Sequence, residues 1–131
     1  MYLIDTDILI YSLKGVPEVV ESFKFFEDSP KAISVISYGE LVYGANKSAK
    51  VVSNLAKVRQ LQEIFPIIDA GKAVLDCFGT IKANLSKEGM TVADFDLLIG
   101  STAITLGYTL VTNNEKHFSK IPDLKITNWM K

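Results

Sequence analysis

Asp5, Glu40 and Asp96 are carboxylates that each fall where a strongly apolar run gives way to a helix-forming segment. Asp5 closes the run Tyr2, Leu3, Ile4; Glu40 lies just beyond the apolar stretch Ala32 to Val35, in ISVISYGEL; Asp96 opens DLLIGSTAITLG. In an open α/β sheet the helices run antiparallel to the strands, so strand carboxyl ends and helix amino ends share one edge, where such folds place their ligands. All three acids are expected on that edge. Two carboxylates about 4 Å apart repel by roughly 4 kcal/mol at an effective dielectric near 20, so a trio brought together needs protons or a cation. A hard divalent metal, Mg²⁺ or Mn²⁺, is the simplest answer. Thr6, Asp7, Asp94, Thr112 and Asn114 add further oxygen ligands or hydrogen-bond donors around the trio.

Alternating elements must carry these residues. Tyr2 to Ile4 and Ala32 to Val35 read as strands, and Pro66 to Ile68, Tyr108 to Val111 and Lys125 to Thr127 as three more. Between them, Val19, Val20, Phe23 and Phe26 recur at helical spacing, as do Val51, Val52, Leu55, Val58 and Leu61. Asp69 is placed to cap a helix running from about Gly71 to Leu85, and Gly107 to end the one that begins near Asp94. The intervening segment Ser86 to Ala93 can stretch about 26 Å, enough to return the chain to the acidic edge. Gly100, Ser101 and Ala103 are small and predict close packing of that last helix on the sheet, holding Asp96 near Asp5. Strand and helix alternation predicts a mainly parallel sheet of about five strands covered on both faces.

Composition narrows the function classes. A chain of 131 residues with 48% hydrophobic residues fits one folded domain, 1–131, rather than a disordered tail. No apolar run spans a bilayer, and the amino terminus is strand-like with no basic region ahead of it, so a cytoplasmic location is expected. The lone Cys77 lies in a helical apolar stripe and reads as a core thiol. The formal charge of −1 disfavours non-specific nucleic-acid binding but leaves room for a local basic patch. Lys14, Lys47, Lys50, Lys87 and Lys116 are candidate substrate contacts, though scattered lysines also make a solvated face. His117, in the polar run NNEKHF, reads as a surface residue.

Each acid also has a plain structural reading. Asp5 is placed to cap a helix, and Asp94 and Asp96 complement the positive end of a helix dipole. Ser37 with Glu40 three residues later spells a capping box. Two other chemistries compete. IDTDIL superficially resembles the nucleophile motif of haloacid-dehalogenase-like phosphatases, with Asp5 and Asp7 in the two acid roles, and Asp69 after the third strand could be the phosphoacceptor of a receiver-like signalling domain.

Taken together, YLIDTDILIY, ISVISYGELVYGA, DFDLLIGSTAITLGYTLVTNNEKHF and LKITNW resemble the motifs of the PIN-domain ribonucleases, and among them the VapC toxins of VapBC toxin–antitoxin modules. The resemblance covers nearly the whole chain. It implies a three-layer α/β/α fold, RNA cleavage dependent on Mg²⁺ or Mn²⁺, a cognate VapB-like antitoxin and a homodimer. It places Asp5, Glu40 and Asp96 as the acids, with Asn114 at the fourth acidic position. The chain departs from the family pattern at Asp7, where Asn is commoner; at Gly100 and Ser101, where two alanines are usual; and at Asn114, where many relatives carry Asp.

Overall fold

The computed structural model describes all residues, Met1–Lys131. In chain order it runs β1 (Tyr2–Ile4), α1 (Thr6–Leu13), α2 (Pro17–Phe25), β2 (Lys31–Ser34), α3 (Val35–Asn46), α4 (Val51–Ile64), β3 (Ile67–Ile68), α5 (Lys72–Lys87), α6 (Asp94–Leu106), β4 (Thr109–Val111), α7 (Glu115–Phe118) and β5 (Ile126–Thr127). The five strands form one sheet in the order β3-β2-β1-β4-β5, and every pairing is parallel. The chain winds outward from β1 to β2 and β3, then returns to the opposite side of β1 as β4. That reversal sets a topological switch point between β1 and β4, above whose carboxyl ends a ligand crevice is expected.

Side chains alternate across a strand, so each strand supplies both faces. Leu3, Ala32 and Leu110 join a core with Ile81, Leu85, Leu97, Ile99 and Phe118, from α5, α6 and α7. Ile4, Ile33 and Val111, one residue further on, join the opposite core with Ile8, Val19, Leu41, Val58 and Trp129. The outcome is the three-layer α/β/α arrangement expected from the sequence. Continuous apolar runs such as Leu3-Ile4 and Leu110-Val111 suit a parallel sheet covered on both sides.

Several boundaries differ, each for a local reason. Strand β2 passes straight into α3, whose cap is Ser34, with its Oγ accepting from the Ile36 amide at 3.1 Å. Ser37 therefore lies inside the helix, fully buried, with no partner for its hydroxyl, and the capping box expected for Ser37 and Glu40 does not form. Ser37→Ala should accordingly leave stability unchanged or raise it, because burying an unpaired hydroxyl costs about 1 kcal/mol or more. Urea denaturation checks this, against the loss of roughly 0.5 to 2 kcal/mol that deleting a true cap brings.

Asp69 does not cap α5, which starts at Lys72 with Gly71 in the cap position and no side-chain cap bond. Helix α5 also runs two residues beyond Leu85, since Gly89, with φ of 70°, supplies the left-handed stop. The shorter return, residues 88 to 93, still brings the chain back beside α5, against which α6 packs. Gly100 serves a different contact from the one expected. A Cβ there would lie 2.9 Å from Ile121 Cδ1, so the glycine admits the segment after α7 rather than the sheet. Gly107 closes α6 at φ of 71°, and the Tyr108 amide turns back to the Ala103 carbonyl, which leaves β4 to begin at Thr109.

Candidate functional site at the strand carboxyl ends

Asp5 follows β1 at the switch point, its amide donating to the Val111 carbonyl at 2.9 Å. Its side chain is only 5% exposed. One carboxylate oxygen, Oδ1, accepts from the Thr6 amide and the other, Oδ2, from the Thr112 hydroxyl, both at 2.8 Å. Thr112 is itself buried just past β4, where its amide donates to the Thr127 carbonyl and its Oγ1 accepts from the Asn114 amide. Two adjacent strands thus fix the orientation of one buried acid.

Thr6 joins the next acid to it. While its amide serves Asp5, its hydroxyl donates to Glu40 Oε1 at 2.7 Å, reaching across from α1 to α3. Glu40 Oε1 is thereby held and Oε2 makes no hydrogen bond. Asp7, in the first turn of α1, accepts from the Ile8 amide at 2.7 Å and from the Asn113 amide at 3.0 Å, tying α1 to the loop after β4. Asp96 lies in the first turn of α6, with Oδ2 3.6 Å from His117 Nδ1, and Asn114 Nδ2 lies 3.0 Å from that same ring nitrogen.

The electrostatics are those of an uncompensated negative centre. Burial pushes the Asp5 carboxyl up to about 7, the charge of Asp7 adds to this and that of Asp96 adds less, while the bonds from Thr112 and Thr6 oppose the rise. Asp7 is also raised, first by burial and with a contribution from Asp96, against the bonds from the Asn113 and Ile8 amides. No lysine or arginine pairs with Asp5, Asp7, Glu40 or Asp96; the lysine ion pairs are Lys82 with Asp94 and Lys131 with Glu115. The acids stand as a loose constellation on one edge, not as a closed set of three ligands around a point. All the donors are oxygen, and the buried centre favours bound protons or added positive charge. Both properties suit a hard divalent cation.

The structure brings together Asp5, Thr6, Glu40 and Thr112 through direct hydrogen bonds, with Asp96 and Asn114 bordering the same edge through His117. Asp94 is not part of this set: its Oδ1 pairs with Lys82 Nζ at 2.8 Å on α5, and both side chains are exposed. His117 is exposed, as its polar surroundings suggest, yet it also touches the acidic edge. Its position follows from α7, a single helical turn anchored by the fully buried Phe118. The lone Phe in the polar run NNEKHF was the available signal for that turn. The backbone amide of Asn113 carries no sequence signal at all.

Residues 2–124 match the PIN domain family. The chain is 35% identical to the Ribonuclease VapC2 of Rickettsia felis over 133 residues, covering 100% of this chain and 99% of that protein. It is 32% identical to the tRNA(fMet)-specific endonuclease VapC of Salmonella typhimurium, over 98% of this chain and 97% of that one. The crystal structure of VapBC2 from Rickettsia felis, bound to a DNA fragment from its promoter, superposes with a TM-score of 0.91 at 34% identity, covering 98% of each chain. DNA-bound VapBC from Salmonella typhimurium gives 0.91 at 32% identity, over 98% of this chain and 97% of that one. By sequence along its whole length and by the arrangement of its sheet and helices, this chain belongs to the PIN domain family, in its VapC group.

Proposed function

We propose that residues 1–131 form one PIN domain that hydrolyses RNA phosphodiester bonds with the aid of Mg²⁺ or Mn²⁺, as the toxin of a toxin–antitoxin pair restrained by a VapB-like antitoxin. The observation that carries this reading is Asp5: a carboxylate 5% exposed, pressed by Asp7 and Asp96, and without a cationic side chain to offset it. The VapC relatives and the VapBC complexes support the nuclease and its antitoxin partner. A cytoplasmic location accords with an RNA substrate; no helix is long and apolar enough to cross a membrane.

Asp5 and Asp96 are the residues that would hold the cation, with Glu40 beside them. Bound there, a divalent ion supplies positive charge to the attacked phosphoryl group and lowers the pKa of the attacking water. Glu40, held through Oε1 by Thr6, presents Oε2 to accept the water proton. The water oxygen forms the new bond to phosphorus, the bond to the leaving ribose oxygen breaks, and solvent protonates that oxygen. Thr112 keeps Asp5 from turning away, and Asn114 steadies His117 beside Asp96.

The two rival chemistries fit poorly. Asp69 follows β3, the edge strand, two positions from β1, whereas a phosphoacceptor of the receiver type needs the centre of the sheet. An aspartyl-phosphate mechanism at Asp5 would call for a lysine beside the phosphorylated carboxylate in addition to a divalent cation, and no lysine pairs with Asp5 or Asp7.

Purified chain freed of antitoxin should cleave RNA with Mg²⁺ or Mn²⁺ and stop on addition of EDTA. An Asp96→Asn protein purified in parallel measures contaminating nuclease. Equal cleavage by that variant, or activity with Zn²⁺ alone, would count against this mechanism, since zinc favours nitrogen and sulfur donors.

A further inference from the structure

A groove of about 280 Å³ opens beside Glu40, between α1, α3 and α4. Lys14 and Lys57 stand on its walls, neither engaged in an ion pair, and Glu40 is its only acid. The remaining wall is largely apolar, with Leu13 38% exposed. Asn54 donates from Nδ2 to Ser48 Oγ at 2.8 Å, which leaves its Oδ1 to accept a hydrogen bond. Gly44 lines the groove from the interior of α3, where glycine weakens a helix relative to alanine. Packing does not require it, because a Cβ at Gly44 would meet nothing within 4 Å. The empty space over Gly44 belongs to the groove, not to the fold.

These features have one chemistry in common. An apolar slot with a single amide acceptor suits the face and edge of a nucleobase, and two free ammonium groups suit the phosphates on either side of it. A chain of net charge −1 whose reacting centre is acidic repels RNA unless cations lie close to that centre. This groove puts two of them beside Glu40. We propose that the α1–α3–α4 groove seats the nucleotide next to the scissile phosphate, its base over Gly44 and its flanking phosphates at Lys14 and Lys57. The assignment rests on the ribonuclease reading above.

The test uses the full chain and a fluorescein-labelled, mixed-sequence single-stranded RNA of about 12 nucleotides, with cleavage followed in Mn²⁺ and binding by anisotropy in EDTA. Lys14→Gln combined with Lys57→Gln should raise KM about tenfold with kcat within about twofold of wild type. It should also flatten the slope of log affinity against log salt by about 1.4, the value for two phosphate contacts on a single strand. Gly44→Leu should raise KM while the melting temperature holds or rises, a pairing that structural damage does not produce. Unchanged KM and salt slope in these variants would overturn the groove assignment and leave the ribonuclease standing. Unchanged RNA kinetics with loss of antitoxin binding would give the groove to a protein and equally overturn it. A wild-type chain inert on RNA with both metals would sink the activity and the groove together.

Discussion

Asp5→Asn should stabilise the metal-free protein at pH 8 by roughly 2 to 4 kcal/mol while lowering RNA cleavage by about a thousandfold or more. The carboxyl of Asp5 is raised from its ordinary 3.8 to about 7 in the folded chain, so the folded state binds that proton more tightly than the unfolded state does. The stability it lends is fully present below about pH 4 and is lost as pH rises through about 7. Metal-free wild type should therefore weaken between pH 5 and pH 8, and the Asn variant should weaken less over the same interval, the remainder belonging to the raised carboxyl of Asp7. In a chain of this length the gap at pH 8 corresponds to about 7 to 15 °C in melting temperature. Asn and Asp are comparable caps, so an acid that only capped α1 would give nearly the same stability after exchange. Equal melting curves at pH 8 would return Asp5 to that modest role.

The second large effect belongs to Glu40. Glu40→Gln keeps an oxygen that can accept from the Thr6 hydroxyl, so the fold should hold within about 1 kcal/mol. Cleavage should fall by about 10² to 10⁴, the usual range for removing a positioned acid or base. Because α3 is capped by Ser34, any loss of activity in this variant has no capping explanation. Full turnover by the Gln protein would show that Glu40 only anchors Thr6.

The sequence made the strands legible where an apolar run met an acid or a turn. Tyr2 to Ile4 was delimited by Asp5, and the alternation of Leu3 and Ile4 between two cores needs only the two-residue period of a strand. It was less informative where one element passes into the next without a loop. Ser34 and Ser37 are equally good caps by type, and the apolar letters of ISVIS suit the end of a strand as well as the start of a helix. Burial decided between them, since Ser37 faces the interior. Tyr108 looked like strand and instead closes the end of α6 through its amide.

The candidate site divides along the same line. Placing three acids on one edge required only the topology of parallel sheets. What joins them did not show in the chain: Thr6 meets Glu40 across 34 residues, and Thr112 meets Asp5 across 107. Such contacts depend on strand register, here Ile4 opposite Val111, and no local pattern encodes that pairing. Asp94 shows the converse. Its spacing from Asp96 looks functional, yet two residues along a helix is a turn of about 200°, which directs it to Lys82 on α5.

The central strand, Tyr2–Ile4, is the earliest of the five along the chain, and the neighbour that completes the acidic edge arrives more than a hundred residues later. During synthesis, β1 leaves the ribosome with neither flank occupied; β2 and β3 can then build outward on one side only. Until Thr109 to Thr112 follow, Asp5 lacks the hydroxyl that orients it, and Asp7 lacks the Asn113 amide. A nascent copy therefore lacks the finished acidic edge until those residues have been made. The complete edge comes into being only when the last strands dock beside β1.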